Sequence, residues 1–216
     1  MEQAEVTTQG STVEEWTRAL AESTGSPGGG AGTGLMLAVA ASLTSMVAGY
    51  SGDDGGEPAK IRARAQQLRR EALRLADEDA SASKAFGAAF RLEPGDGRDE
   101  AIRRASLEAA ASSAVLGDQA IGAIDDLAWL ATNGNRALVA DIVVAFGALR
   151  AAVAGARTNV SFDLGSLRSA GATLEQVRTQ QPELCAAVEK LGGAMDRIDE
   201  LAAAIDDRAA PTETGQ

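Results

Sequence analysis

The chain has 216 residues, of which 45% are hydrophobic, enough for one sizeable core in one domain or at most two small ones. Alanine makes up roughly a fifth of it, against a usual level nearer a tenth, while aromatics are only 3%. A β-sandwich or barrel needs the β-branched and aromatic residues that are scarce here, so close-packed helices are expected. The net charge of −11 argues against nucleic acid and against an anionic membrane surface, since neither binds without a basic face. A small anionic ligand stays compatible, because one arginine cluster or one helix N-terminus suffices.

In chain order, residues 1–10 are polar and are expected to be disordered. Thr12-Val-Glu-Glu15 forms a capping box that opens a first helix, with Val13, Trp16, Ala19 and Leu20 on one face. The glycine-rich run Ser26-Pro-Gly-Gly-Gly30 leads into Leu35 to Gly49, with no charge between Pro27 and Gly52. A helix without a polar face is a buried one, so residues 31 to about 50 are expected to form the central helix of a bundle. The apolar run itself is short for a membrane span.

A long amphipathic helix follows from about Pro58 to Leu92, its stripe running Ile61, Ala65, Leu68, Ala72, Leu75, Asp79, Ala82, Phe86. Residues 98–132 continue as a fourth helix with a bend expected near Gly117, and Asn133-Gly-Asn135 is a turn. Val139 to Arg157 is a fifth helix, a short helical piece follows Leu164, and a last amphipathic helix covers about Pro182 to Arg208. The fold class is therefore all-α, a multihelical bundle around a buried central helix. Residues 11–208 are expected to form one domain, and 209–216 a disordered tail. The acidic start (Glu2, Glu5) lacks a signal-peptide pattern, so the cytoplasm is the expected compartment.

The chain has no histidine, which removes Ser-His-Asp and Cys-His catalysis and any imidazole metal site. The single Cys185 cannot form an internal disulfide and is expected to pack within the last helix. Proton transfer then falls to carboxylates, Lys, Tyr50 or water. Asp79 stands out as a carboxylate on an apolar seam, expensive unless paired or hydrogen-bonded. It is either functional or neutralised by Arg150 or Arg157. Gly28, Gly29 and Gly30 either free backbone N–H groups for an anion or let the chain enter a crowded bundle. Asp141 either takes part in chemistry or complements a helix dipole. Asn135 and Asn159 have cheap structural roles as a helix start and a helix end.

Four segments in order resemble the formiminotetrahydrofolate cyclodeaminase / methenyltetrahydrofolate cyclohydrolase family over about residues 12–205. They are Ser26-Pro-Gly-Gly-Gly30, Glu78-Asp-Ala80 with Phe86 and Phe90, Gly134-Asn135 with Asp141, and Gly155-Ala156 with Asn159-Val160. The resemblance implies a multihelical fold, a homodimer, and a cleft that takes a tetrahydrofolate derivative as substrate, with no metal. The implied reaction is closure of 5-formiminotetrahydrofolate with loss of ammonia, or hydrolysis of 5,10-methenyltetrahydrofolate. Asp79 and Asp141 would be the catalytic carboxylates; Gly28, Gly29, Gly30, Asn135, Asn159 and Asp163 would bind substrate. The chain differs from the family pattern at Ala140, Asp163 and Ser83, and it lacks the lysine that commonly follows Leu92-Glu-Pro94. These differences leave open a divergent member that keeps the fold and binds another ligand or partner.

Overall fold

The computed structural model describes residues 6–23, 25–52, 55–169 and 172–209. Among these, all regular structure is helical: α1 (Val13–Ala21), α2 (Gly29–Tyr50), α3 (Glu57–Phe90), α4 (Asp96–Gly122), α5 (Ile124–Asn133), α6 (Val139–Ser169), α7 (Leu174–Gln180) and α8 (Pro182–Ala209), with a 3-10 turn over Arg136–Leu138. The capping box closes as the sequence predicts: Glu15 N–H donates to the Thr12 hydroxyl, and the Thr12 N–H donates to the Glu15 carboxylate.

The chargeless segment is the central helix. In α2 the side chains of Leu37 and Val47 are fully buried, as are Ala31 and Ala48, and each large side chain so placed contributes about 1.5–3 kcal/mol. Helix α3 runs antiparallel along one flank and α6 along another. Gly34 makes the first approach possible, because a Cβ there would sit 2.7 Å from Ala76 Cβ and 3.0 Å from the Ala72 carbonyl. Gly155 of α6 does the same against Thr33, whose side chain a Cβ would overlap. Small residues on both partners bring the backbones together, which is where the alanine excess goes. Around this trio α4, α5 and α8 complete one core that contains Phe146, Ile124, Leu127, Leu149, Leu191 and Ile198. Cys185 packs at the edge of a smaller cluster around Ala110, Val160 and Leu164.

Four details differ from the sequence pattern. Residues 6–10, predicted to be disordered, lie on α3: the Thr8 N–H donates to Asp77 Oδ1 at 2.5 Å, and Trp16 Nε1 donates to the Thr8 hydroxyl at 3.1 Å. Residues 1–5 and 210–216 lie outside the described residues. The fourth predicted helix breaks at Ala123 rather than bending at Gly117, where Leu191 of α8 packs so closely that a Cβ would lie 2.6 Å from it. Helix α6 does not stop at Arg157 but runs unbroken to Ser169. Burial of Val160, Leu164 and Leu167 on one helical face outweighs the modest helix preference of Asn159, Phe162 and Asp163. Finally, α2 and the 136–167 stretch are each long and apolar enough to cross a membrane by length and composition alone, and most of the apolar window of α2 is buried inside the bundle.

Candidate active site

The glycine entry to α2, the middle of α3, α4 and the later half of α6 meet around a cleft of about 390 Å³. It is lined by Gly29 and Gly30, by Asp79, Ser83 and Phe86, by Ser113, and by Asn159, Phe162 and Asp163. The unbroken α6 explains the last three. Asn159 and Asp163 are one turn apart, so both project to the same side of the rod.

The N-terminus of α2 receives a carboxyl group, that of the chain's own Asp79. The Ala31 N–H and the Ser83 hydroxyl donate to its carboxylate, an arrangement that the unpaired N–H groups and positive dipole of a helix start favour. Gly30 is required for this seat, because a Cβ at that position would fall on the carboxylate. Neither Arg150 nor Arg157 is among the groups that shift the Asp79 carboxyl. Arg150 donates to both oxygens of Asp199, and Arg157 lies against Gly192 of α8. Asp79 Oδ2 is buried with no hydrogen-bond partner.

Burial therefore raises the Asp79 carboxyl above its ordinary range, and the Ala31 and Ser83 donors oppose that rise only in part. Asp163 is pushed further, to about 7, first by burial and then by the negative charge of Asp79 beside it. Neighbouring carboxyls whose charges disfavour one another titrate as a pair rather than singly. The Ala31 and Ser83 donors favour the charged form of Asp79, while burial and the neighbouring Asp79 charge favour the protonated form of Asp163. Near neutral pH such a pair can both give and take a proton.

Of the residues singled out in the sequence, the cleft thus gathers Gly29, Gly30, Asp79, Asn159 and Asp163, with Gly28 as the residue preceding α2. It does not gather Asn135 or Asp141. Asp141 precedes Asp163 by 22 positions of one helix, about 33 Å along its axis. Asn135 caps the 3-10 turn: its Oδ1 accepts from the Ala137 N–H at 3.0 Å, and its own N–H donates to the Ser51 hydroxyl at 2.9 Å. Within one chain, the carboxylate that faces Asp79 is Asp163. Ser83, a departure from the family pattern, is an Asp79 donor, a role legible in its position one helical turn on.

Residues 12–181 match the Formiminotransferase-cyclodeaminase family, and the chain belongs to that family. Its fold is similar to that of formiminotetrahydrofolate cyclodeaminase from Thermotoga maritima, known from a crystal structure at 2.80 Å resolution. The TM-score is 0.78 at 21% identity, over 92% of this chain and 97% of that one. No match is found among curated proteins.

Proposed function

We propose that this protein is a one-carbon folate enzyme, which closes 5-formiminotetrahydrofolate with release of ammonia or opens 5,10-methenyltetrahydrofolate with water. The observation that carries this reading is the meeting of Gly30-seated Asp79 with Asn159 and Asp163 in one cleft. Both reactions pass through a cationic carbon held between N5 and N10. Anionic Asp79, fixed by backbone and hydroxyl donors away from bulk water, stabilises that cation without having to reorganise.

Asp163 moves the proton. In the closing direction N10 attacks the formimino carbon and a C–N10 bond forms. The N10 proton passes to a carboxylate of the pair. Asp163 then protonates the amino group, the C–N bond to it breaks, and ammonia leaves the methenyl cation behind. In the opening direction the same pair takes a proton from the attacking water and returns it to the departing ring nitrogen. A carboxyl that titrates near 7 suits a group that must do both. Asn159, one turn from Asp163, is placed to hydrogen-bond the pterin or orient the water.

The test is optical. The methenyl chromophore should disappear faster with protein present, or the formimino substrate should release ammonia. Asp163→Asn should slow turnover by about 10²–10⁴-fold with the helical circular dichroism intact; unchanged turnover removes Asp163 from the mechanism. A second reading is favoured by one observation: no Lys or Arg is among the described residues lining the cleft. Folate binding without turnover would support a divergent member with another substrate.

A further inference from the structure

Arg64, Arg74, Arg103, Arg150 and Arg197 each pair with a carboxylate. Arg98, in the first turn of α4, is different. Its Nε is buried and has no hydrogen-bond partner among the described residues. Its guanidinium carbon lies over the Phe90 ring, 5.9 Å from the centroid, close enough for the ring face to hold the cation in place. A buried donor without an acceptor costs free energy. A guanidinium stacked on a ring keeps its in-plane N–H groups for a planar anion.

The ring beneath Arg98 belongs to a row that leads into the cleft. Phe90 and Phe86 have centroids 4.8 Å apart with their planes at 55°, and Phe86 lines the cleft together with Asp79 and Gly87. Phe86 and Phe90 follow Asp79 by seven and eleven residues of one helix, about 10 and 16 Å along its axis. Seven residues are two turns, so Phe86 stands on the same side of α3 as Asp79. Arg91 flanks the same edge, since a Cβ on Gly87 would lie 3.9 Å from its Nη1. Outward from the carboxyl pair, the α3 wall therefore turns from acidic to aromatic to cationic. That order matches a ligand with a cationic reacting part and an aromatic arm that ends in carboxylate.

We propose that Arg98 receives the carboxylate end of the cleft's ligand, with Phe86 and Phe90 as the platform for an aromatic ring between that end and the reacting carbon. Arg91 adds a second positive charge at the rim. Identifying the arm as the benzoylglutamate of a folate rests on the folate reading; the pairing of Arg98 with a carboxylate on an aromatic arm does not. Arg98 touches no reacting atom, so its part is affinity and specificity, a remote contact that anchors the substrate. The placement also accounts for a cleft without Lys or Arg in its described lining. A guanidinium beside Asp79 would repel the cationic carbon that Asp79 stabilises, whereas one beyond the aromatic pair holds the anionic end without that cost.

The experiment uses the full chain and three probes: 5-formyltetrahydrofolate, which carries the arm, 6-methyltetrahydropterin, which lacks it, and p-aminobenzoylglutamate, the arm alone. In calorimetry Arg98→Gln should weaken both arm-bearing probes by about 10–100-fold and leave 6-methyltetrahydropterin unchanged. Arg98→Lys should recover part of the loss, because it restores the charge without the planar fork. Equal losses for all three probes, or no loss, overturn the inference. Should Arg98→Gln fail to fold, the parent protein decides. Phenylglyoxal, which modifies guanidinium groups, should label Arg98, and p-aminobenzoylglutamate should protect it while labelling of Arg150 stays the same; no protection overturns the inference. In turnover of the methenyl substrate, Arg98→Gln should raise KM more than it lowers kcat. Turnover with an unchanged KM sinks the Arg98 assignment and leaves the folate reading standing. Protection of Arg98 by p-aminobenzoylglutamate without any folate turnover sinks the proposed reaction and leaves the carboxylate site standing.

Discussion

At the scale of single residues, the cleft places a cost on the fold. Asp163 holds its proton up to about pH 7 in the folded chain but releases it near pH 4 once unfolded. Between those values the unfolded state binds fewer protons, so stability falls as pH rises through this window and levels off above it. Asp163→Asn removes the titration. Thermal melts should show the variant gaining on the parent protein from pH 4 to pH 7, with no difference below pH 4. A constant gap across that range would mean that Asp163 titrates normally. The same substitution slows turnover in the proposed mechanism, so one residue separates stability from activity. Asp79 itself was legible in the sequence as an interruption of an apolar stripe. Which carboxylate faces it was not, because spacing along a chain does not say which end of a neighbouring helix crosses a given point.

At the scale of elements, the boundaries that local rules govern were legible and those that packing governs were not. The capping box at Thr12 and the chargeless α2 both follow from residue type alone. The continuation of α6 past Arg157 depends on what Val160 and Leu164 pack against, which no local preference encodes, and it is this continuation that carries Asn159 and Asp163 into the cleft. The contact that fixes α6 against α2 is Gly155 on Thr33. Gly155→Ala should destabilise the protein by about 1–3 kcal/mol, measured by urea unfolding. Thr33→Ala in the same chain removes the atoms that the new methyl meets first, so the double variant should recover part of the loss. Strict additivity of the two substitutions would show that the helices do not touch there.

At the scale of the molecule, α8 is the late piece that closes the bundle, and two kinds of contact hold it. Leu191, Ile198 and Ile205 are buried in the core. On the surface Arg150 pairs with Asp199, Lys190 with Asp118 and Arg197 with Asp125. Exposed pairs of this kind contribute little against water and salt, whereas truncating a buried leucine loses both transfer energy and packing. Leu191→Ala should therefore cost about 2–5 kcal/mol, while Asp199→Asn should leave the urea midpoint almost unchanged. Comparable shifts from the two would mean that charge, not burial, docks α8. The all-α class was legible from composition at this scale, but which helices flank α2 was not, since periodicity alone does not say which neighbour a stripe meets.

The chargeless helix α2 also shapes how the protein comes to be folded. Its partner α3 is next in sequence, but α6 arrives roughly a hundred residues later, and loop-closure entropy must be met before that contact forms. Until then an uncharged stretch of 22 residues has no solvated face to turn outward and can be satisfied by another chain as readily as by its own. The net charge of −11 over the whole chain opposes such encounters by mutual repulsion. That repulsion weakens as salt screens it, so aggregation during refolding should rise with ionic strength, as light scattering would show.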